Sequence, residues 1–278
     1  MDFKKDFKIK PKQVNLNGSV TFTDGTNDVV ANQLACEAYG YKYDTLTGSC
    51  MSFIPTSKLD AQLKEPSNTI KGISNTTNKG TSRTIINGTL NTTQGFNQNC
   101  FVNGTAHTIN NGINNATITG AYGKAIRQGE FVRGGGETTK TFETQSSVIQ
   151  LSCNTTDATT TNMKVLALDN EFINVQNNSI LGFEIYLTRL EIGGASGTAG
   201  DFSYRHMKGV MRIRDNFATT IGVYNSRVLG KIGGVNGTAN VVDVDTGTVT
   251  IAVSDRAAVN NLWNATVYLH ETKTNITF

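Results

Sequence analysis

Residues 85–120 read IINGTLNTTQGFNQNCFVNGTAHTINNGINNATITG, with isolated apolar residues standing in a field of Asn, Thr and Gly. Such a stretch is disordered filler, a chemical site, or one piece of an architecture that becomes stable by repetition. An internal period decides between them. Ile70, Ile86, Val102 and Ile118 recur every 16 residues, and two places after each stands a glycine: Gly72, Gly88, Gly104 and Gly120. A second glycine recurs about half a period later, at Gly80, Gly95, Gly112 and Gly129. Disorder needs no fixed period, so the register predicts a β-solenoid or a trimeric β-roll. Each repeat supplies short strands and tight turns, and glycine permits the positive φ that such turns require. One inward Ile or Val per repeat then joins a core that no repeat has alone.

Outward from this zone the composition agrees with β-structure. The chain has 278 residues, 37% hydrophobic and 17% charged, with 28 glycines and three prolines. A conventional single core would be thin at this length, and abundant Asn, Thr and Gly favour turns and strands over helices. A net charge of +3 is too small to argue for nucleic acid or membrane partners. The opening MDFKKDFKIKPK lacks the apolar run of a signal peptide, and no stretch approaches a membrane span, so synthesis and retention in a cytoplasm are expected. Eleven Asn-x-Ser/Thr triplets, among them those at Asn87, Asn103 and Asn236, then reflect Asn/Thr richness rather than glycan acceptors.

Four segments follow: an N-terminal region 1–55, a short helical neck 56–66 with Leu59 and Leu63 at i, i+4 and Pro66 ending it, the repeat zone 67–136, and a strand-rich zone 137–278. In the last zone, alternation puts Phe183, Ile185 and Leu187 on one strand face, and likewise Val249, Ile251 and Val253. It also puts Trp263, Ala265, Val267 and Leu269 opposite Asn264, Thr266, Tyr268 and His270. Seven to nine such strands, separated by glycine-rich turns, predict a jelly-roll-like β-sandwich.

The chemistry-bearing residues are sparse. Cys36, Cys50, Cys100 and Cys153 show no C-x-x-C spacing and no nearby histidine, so no zinc site is expected. Cys36 and Cys50 bracket a hairpin whose ends a disulfide can join, although reduced thiols are the expectation in a cytoplasm. His107 reads as a solvated turn residue, His270 as solvent-facing and Trp263 as a core anchor. His206, in FSYRHMKG, has aromatic and basic neighbours suited to a glycan. A polysaccharide depolymerase needs two carboxylates, whereas the repeat zone holds one acid, Glu130, against six bases. Asp201, Asp215, Asp243, Asp245 and Asp255 read as scattered surface acids. No dinucleotide fingerprint, metal loop, cofactor motif or catalytic residue is found, and a chain without enzymatic activity is expected.

The strand-rich zone resembles the C-terminal domain of bacteriophage fibre proteins over about residues 140–272. The likeness is carried by a glycine-rich loop before YRHMKGVMRIRD (204–215) and by the closing VTIAVSDRAAVNNLWNATVYLHET (249–272). ACEAYGYKYDTLTGSC (35–50) resembles a Cys-bracketed module in the N-terminal regions of structural bacteriophage proteins. The 16-residue repeats resemble the stacked rolls of trimeric adhesin heads in architecture only. The resemblance implies an elongated all-β homotrimer, a virion fibre or spike anchored by its N-terminus to other virion proteins. A host-surface glycan or protein receptor would meet Tyr204, Arg205 and His206 on the outward C-terminal domain. A depolymerase tailspike and a purely structural head fibre are the alternatives.

Overall fold

The computed structural model describes residues 3–15, 18–45, 48–52, 68–136, 144–234 and 237–276. The predicted neck at 56–66 lies outside them. The chain forms two compact units, Met1–Pro66 and Ser67–Phe278.

In the first unit, β1 (Lys10–Val14), β2 (Val20–Thr23) and β3 (Asp28–Val29) form an antiparallel sheet. A short helix α1 (Gln33–Ala38) follows, and its N-cap Asn32 accepts from the Ala35 N–H at 2.8 Å. β4 (Lys42–Asp44) and β5 (Ser49–Met51) close a hairpin. The buried apolar set is small: Val20, Phe22, Ala31, Ala35, Cys36 and Cys50, with Tyr39 and Tyr41 packed edge-on against Phe22. Cys36 and Cys50 are joined by a disulfide, which corrects the expectation of reduced thiols. The helix carries Cys36 on its buried side and the hairpin lays Cys50 against it, with Cα atoms 5.6 Å apart.

The second unit opens with a β-solenoid of about four turns. Its long strands are β6 (Thr69–Ile73), β8 (Ile85–Thr89), β10 (Phe101–Thr105), β12 (Thr117–Ala121) and β14 (Phe131–Gly135). The two-residue strands β7 (Thr76–Thr77), β9 (Thr92–Thr93), β11 (Thr108–Ile109) and β13 (Lys124–Ala125) alternate with them. All pair in parallel and in register, so Ile70, Ile86, Val102 and Ile118 stack directly. The last coil is two residues shorter: Ile118 pairs with Val132 and Gly120 with Gly134. Ile86, Val102, Ile118 and Val132 are buried, whereas Ile70, on the outermost described strand, is 45% exposed. A left-handed residue turns the corner after each of the first four long strands, at Ser74, Leu90, Ala106 and Tyr122.

Gly72, Gly88, Gly104 and Gly120 are not turn residues, contrary to the sequence reading; each is the fourth residue of a long strand. A Cβ built on Gly88 would sit 1.9 Å from the Gly104 carbonyl oxygen, and one on Gly104 2.1 Å from that of Gly120. Backbone touches backbone at this column, and φ is +120° at Gly88. Beside it runs a polar column with the same period. Asn91 N–H donates to Asn75 Oδ1 at 3.0 Å, His107 N–H to Asn91 Oδ1 at 3.0 Å, and Gly123 N–H to His107 Nδ1 at 2.9 Å. His107 is therefore buried at 1% exposure rather than solvated, and burial pushes its pKa down.

The sheet then changes direction. β15 (Thr144–Thr155) pairs antiparallel with β14, and β16 (Thr161–Asn162), β17 (Lys164–Val165) and β18 (Ile173–Asn174) follow. Next come β19 (Ser179–Gly193), β20 (Phe202–Ile213), β21 (Thr219–Ile232), β22 (Thr238–Asp245), β23 (Thr248–Ser254) and β24 (Asn260–Lys273). One 11-stranded sheet runs β21-β20-β19-β24-β15-β14-β12-β10-β8-β6, with β17 beside β15. Six C-terminal strands, β17 among them, thus extend the sheet of the coils instead of forming a free-standing jelly roll. β16, β18, β22 and β23 make a second sheet, and both sheets contribute to one core that includes Phe183, Ile185, Val249, Ile251 and Trp263. Thr250 and Ala252 are buried as well, because β23 is the central strand of the second sheet.

Where coils meet strands, a buried ionic network replaces apolar packing. Arg127 Nη1 lies 2.5 Å from Glu130 Oε1 and Nη2 lies 3.3 Å from Glu271 Oε2, all three side chains being fully buried. Gln145 and Gln176 donate to the Glu271 carboxylate at 3.1 and 2.8 Å. Asp255, read from sequence as a surface acid, is likewise buried and paired with Arg189.

Substituting Gly88→Ala should cost more than about 4 kcal/mol in urea unfolding, since clash adds to conformational strain. Gly112→Ala, where φ is +74° and a Cβ meets nothing within 4 Å, should cost only about 1–2 kcal/mol. Equal losses would show that close coil approach is not what demands glycine.

Candidate functional site

Alternation along β19 turns Phe183, Ile185 and Leu187 into the core, which sends Glu184, Tyr186 and Thr188 to the outer sheet face. The antiparallel register then fixes their neighbours. Glu184 lies between Lys208 of β20 and Tyr268 of β24, and Tyr186 between His206 and Thr266. Thr188 pairs with Tyr204. The result is a shallow depression of about 450 Å³ lined by Glu184, Tyr186, Tyr204, Thr266 and Tyr268.

Its geometry is organised around one carboxylate. Tyr186 donates its hydroxyl to Glu184 Oε1 at 2.9 Å, His206 Nε2 lies 2.7 Å from the same oxygen, and Lys208 Nζ lies at 3.2 Å. Among the described residues, Oε2 has no hydrogen-bond partner. The Tyr186 hydroxyl, Lys208 and His206 together hold the carboxyl below its usual range, so Glu184 is ionised at neutral pH. The same contact raises the Tyr186 phenol above its ordinary value. The Tyr186 ring stacks beside His206 at 4.7 Å and Tyr204 at 6.1 Å, and meets Tyr268 edge-on at 6.0 Å. Tyr268 is 40% exposed.

Of the three residues singled out in sequence, Tyr204 and His206 belong to this cluster and Arg205 does not. Arg205 pairs with core-facing Leu187, on the other sheet face, and donates to the Gly237 carbonyl at 3.0 Å. Burial lowers its pKa. Glu184, Tyr186 and Tyr268 were absent from the sequence reading of the site because they lie far from residue 206 along the chain. The alternation of FEIYL is the signal that marks Glu184 and Tyr186 as outward; the pairing register is not in it.

Other candidate chemistry is muted. Burial raises the thiol pKa of Cys100, and that of Cys153 to about 11, which keeps both protonated at neutral pH. Asp243 is raised by burial and by its neighbour Asp245. Among the described residues no group of three or more His, Cys, Asp or Glu is placed to hold a metal ion, and no helix is long and apolar enough to cross a membrane.

No protein-family model matches the chain. No curated protein matches it either. Among solved structures it is similar to three tailspike proteins. One is from Acinetobacter baumannii phage AM24 (8% identity, 73% of this chain, 48% of that one, TM-score 0.27). Another, gp49 from Acinetobacter baumannii bacteriophage Fri1, is described as a capsular polysaccharide depolymerase (11%, 74% and 45%, TM-score 0.28). The third is from Acinetobacter phage vB_ApiP_P1 (8%, 75% and 54%, TM-score 0.21). The chain spans about half the length of each, and no residue of it takes a role from them. The depolymerase description corrects the expectation of a chain without enzymatic activity. That expectation rested on the lack of paired acids in the repeat zone. The carboxylate, imidazole and phenol that meet here come from two other strands.

Substituting Tyr186→Phe should move the Glu184 pKa up toward the ordinary carboxylate range in a ¹³C-carboxyl NMR titration, since a donor to the charged form is lost. The sign for stability follows. A carboxyl lowered in the fold contributes above its unfolded pKa, and that contribution disappears as pH falls through the folded value. An unchanged titration in this variant would show that the phenol does not hold the carboxylate.

Proposed function

We propose that the chain is a bacteriophage virion spike or fibre protein whose tyrosine face engages host-surface polysaccharide. The observation that carries this reading is the cluster of Tyr186, Tyr204, Tyr268 and His206 around an ionised carboxylate on the outward sheet face. Aromatic rings offer apolar surface to sugar C–H groups, and Glu184 Oε2 is an acceptor open to sugar hydroxyls. Residues 1–55 serve as the virion attachment, the coils 67–136 as the stalk and 137–278 as a sandwich-like head. The protein is exposed on the particle after assembly in the host cytoplasm.

A homotrimer is part of the same reading. Ile85, Phe101 and Phe131 occupy matching positions on β8, β10 and β14, with Thr117 of β12 between the last two, and are 42, 37 and 47% exposed. The 14-residue edge strand β21 exposes Val223, Tyr224, Leu229 and Ile232 as well. Association of copies would cover such surfaces. A catalytic version is favoured by one observation: the Tyr186 hydroxyl and His206 Nε2 both lie within hydrogen-bond distance of one Glu184 oxygen, a set able to move a proton.

Purified protein should bind a subset of an array of bacterial capsular polysaccharides, and a folded Tyr186→Ala, Tyr268→Ala double variant should bind about tenfold or more weakly. Unchanged binding in that variant would sink the tyrosine-face assignment. New reducing or unsaturated ends that vanish with Glu184→Gln, while binding persists, would establish the catalytic version. Light scattering should give a trimer of the 30.0 kDa chain; a stable monomer would end the trimer reading.

A further inference from the structure

Charge is unevenly spread over the second unit. Alternation along β20 and β24 sends Lys208, Arg212 and His270 to the same outward face as the tyrosine cluster. Register adds Arg227 of β21, paired with His206, and Arg133 of β14, paired with Ser146. Among the described residues Glu184 is the one carboxylate on the outward face of these strands, and Lys208 neutralises it at 3.2 Å. Arg133, Arg212 and Arg227 are exposed and make no ion pair among the described residues, so three positive charges stand uncompensated. The acids Asp243 and Asp245 stand on β22, in the other sheet.

Arg133 borders a second hollow on this face, of about 380 Å³. Its lining includes Gly135 of β14, Thr144 and Ser146 of β15, and His270 and Thr272 of β24. β24 joins it to the tyrosine depression, since Tyr268 lines one and His270, two residues on, lines the other. Gly182 of β19 stands at this junction, opposite His270 and two residues before Glu184. Nothing in the fold demands glycine there. Its φ is not left-handed, the pairing on both sides runs through it without a bulge, and a Cβ would come no nearer than 3.8 Å, to His270 Cβ. A mid-strand glycine weakens a strand, and without bulge or backbone clash it fits a place where a ligand approaches the main chain.

Resting on the tyrosine-face reading, we propose that the polysaccharide is acidic. Its chain passes from the tyrosine rings over Gly182 and seats a sugar carboxylate on Arg133, with His270, Ser146 and Thr144 as partners for flanking hydroxyls. A guanidinium takes a carboxylate through two parallel N–H bonds, which fixes orientation as well as charge. The field of the three unpaired arginines draws a polyanion to the face and disfavours a neutral chain only by lacking a match for it.

The test uses the full chain and an array of bacterial capsular polysaccharides of known sugar composition, each also in carboxyl-reduced form. The polymers bound should carry carboxylate sugars, and reduction should weaken binding about tenfold. Affinity for the native polymer should fall as salt is raised. Arg133→Gln should cost about tenfold on the native polymer and little on the reduced one. Gly182→Val should weaken both forms while the melting temperature holds or rises, which a purely structural glycine would not allow. The Tyr186→Ala, Tyr268→Ala variant should weaken both forms too. Binding confined to neutral polymers, equal affinity after reduction, or full affinity in Arg133→Gln would overturn the acidic assignment; if the tyrosine variant still loses binding, the tyrosine-face reading stands. Binding to no polymer on the array would overturn both.

Discussion

Backbone against backbone at one column of glycines is the constraint on which the second unit depends. Successive coils approach so closely there that a side chain on Gly88 would overlap the Gly104 carbonyl oxygen. That approach holds five long strands in parallel register. Register in turn brings like residues over one another. Ile86, Val102 and Ile118 become one apolar column, and Asn75, Asn91 and His107 one hydrogen-bonded column. Buried polar groups are costly when unpaired, and the stacked side chains satisfy main-chain donors of the next coil that would otherwise lack partners. A composition too poor in apolar residues for an ordinary core is sufficient here, because each repeat completes its neighbour.

A solenoid has two exposed ends, and an open strand edge invites uncontrolled pairing. One end is closed by the chain itself. The last coil is shortened by two residues, and β14 hands its free edge to the antiparallel β15. The junction is sealed by a guanidinium between two carboxylates. Desolvating such a set costs several kcal/mol per ion, and removal of one partner typically costs about 3–5 kcal/mol. Arg127 therefore specifies how coil and strands meet more than it adds to net stability. Its carbonyl partner on Asn174, at 2.7 Å, ties the same residue to the second sheet.

Extending the coil sheet into long antiparallel strands creates the surface on which the tyrosine cluster sits. One residue of slip between β19 and β20 would separate Glu184 from Lys208 and pair it with a residue of the opposite face. The site is thus a product of register, as the coils are, but of antiparallel register set by the whole sheet. Arg205 shows the consequence: adjacent to His206 in the chain, it belongs to the other face.

The period of 16 residues, the inward Ile and Val, and the alternating faces of β19 and β24 were legible in the sequence, because each depends on local spacing that the strand geometry imposes. The role of the glycines and the burial of His107 were not. Each depends on what another segment places nearby. Glu130 and Glu271 are separated by 141 positions and share one arginine only in the folded chain. Likewise, composition showed that Tyr186, Tyr204, His206 and Tyr268 exist, and alternation showed that most of them face outward. Only the pairing of three strands set them around one carboxylate, since contact between distant residues is fixed by sheet register and not by any property of the residues alone.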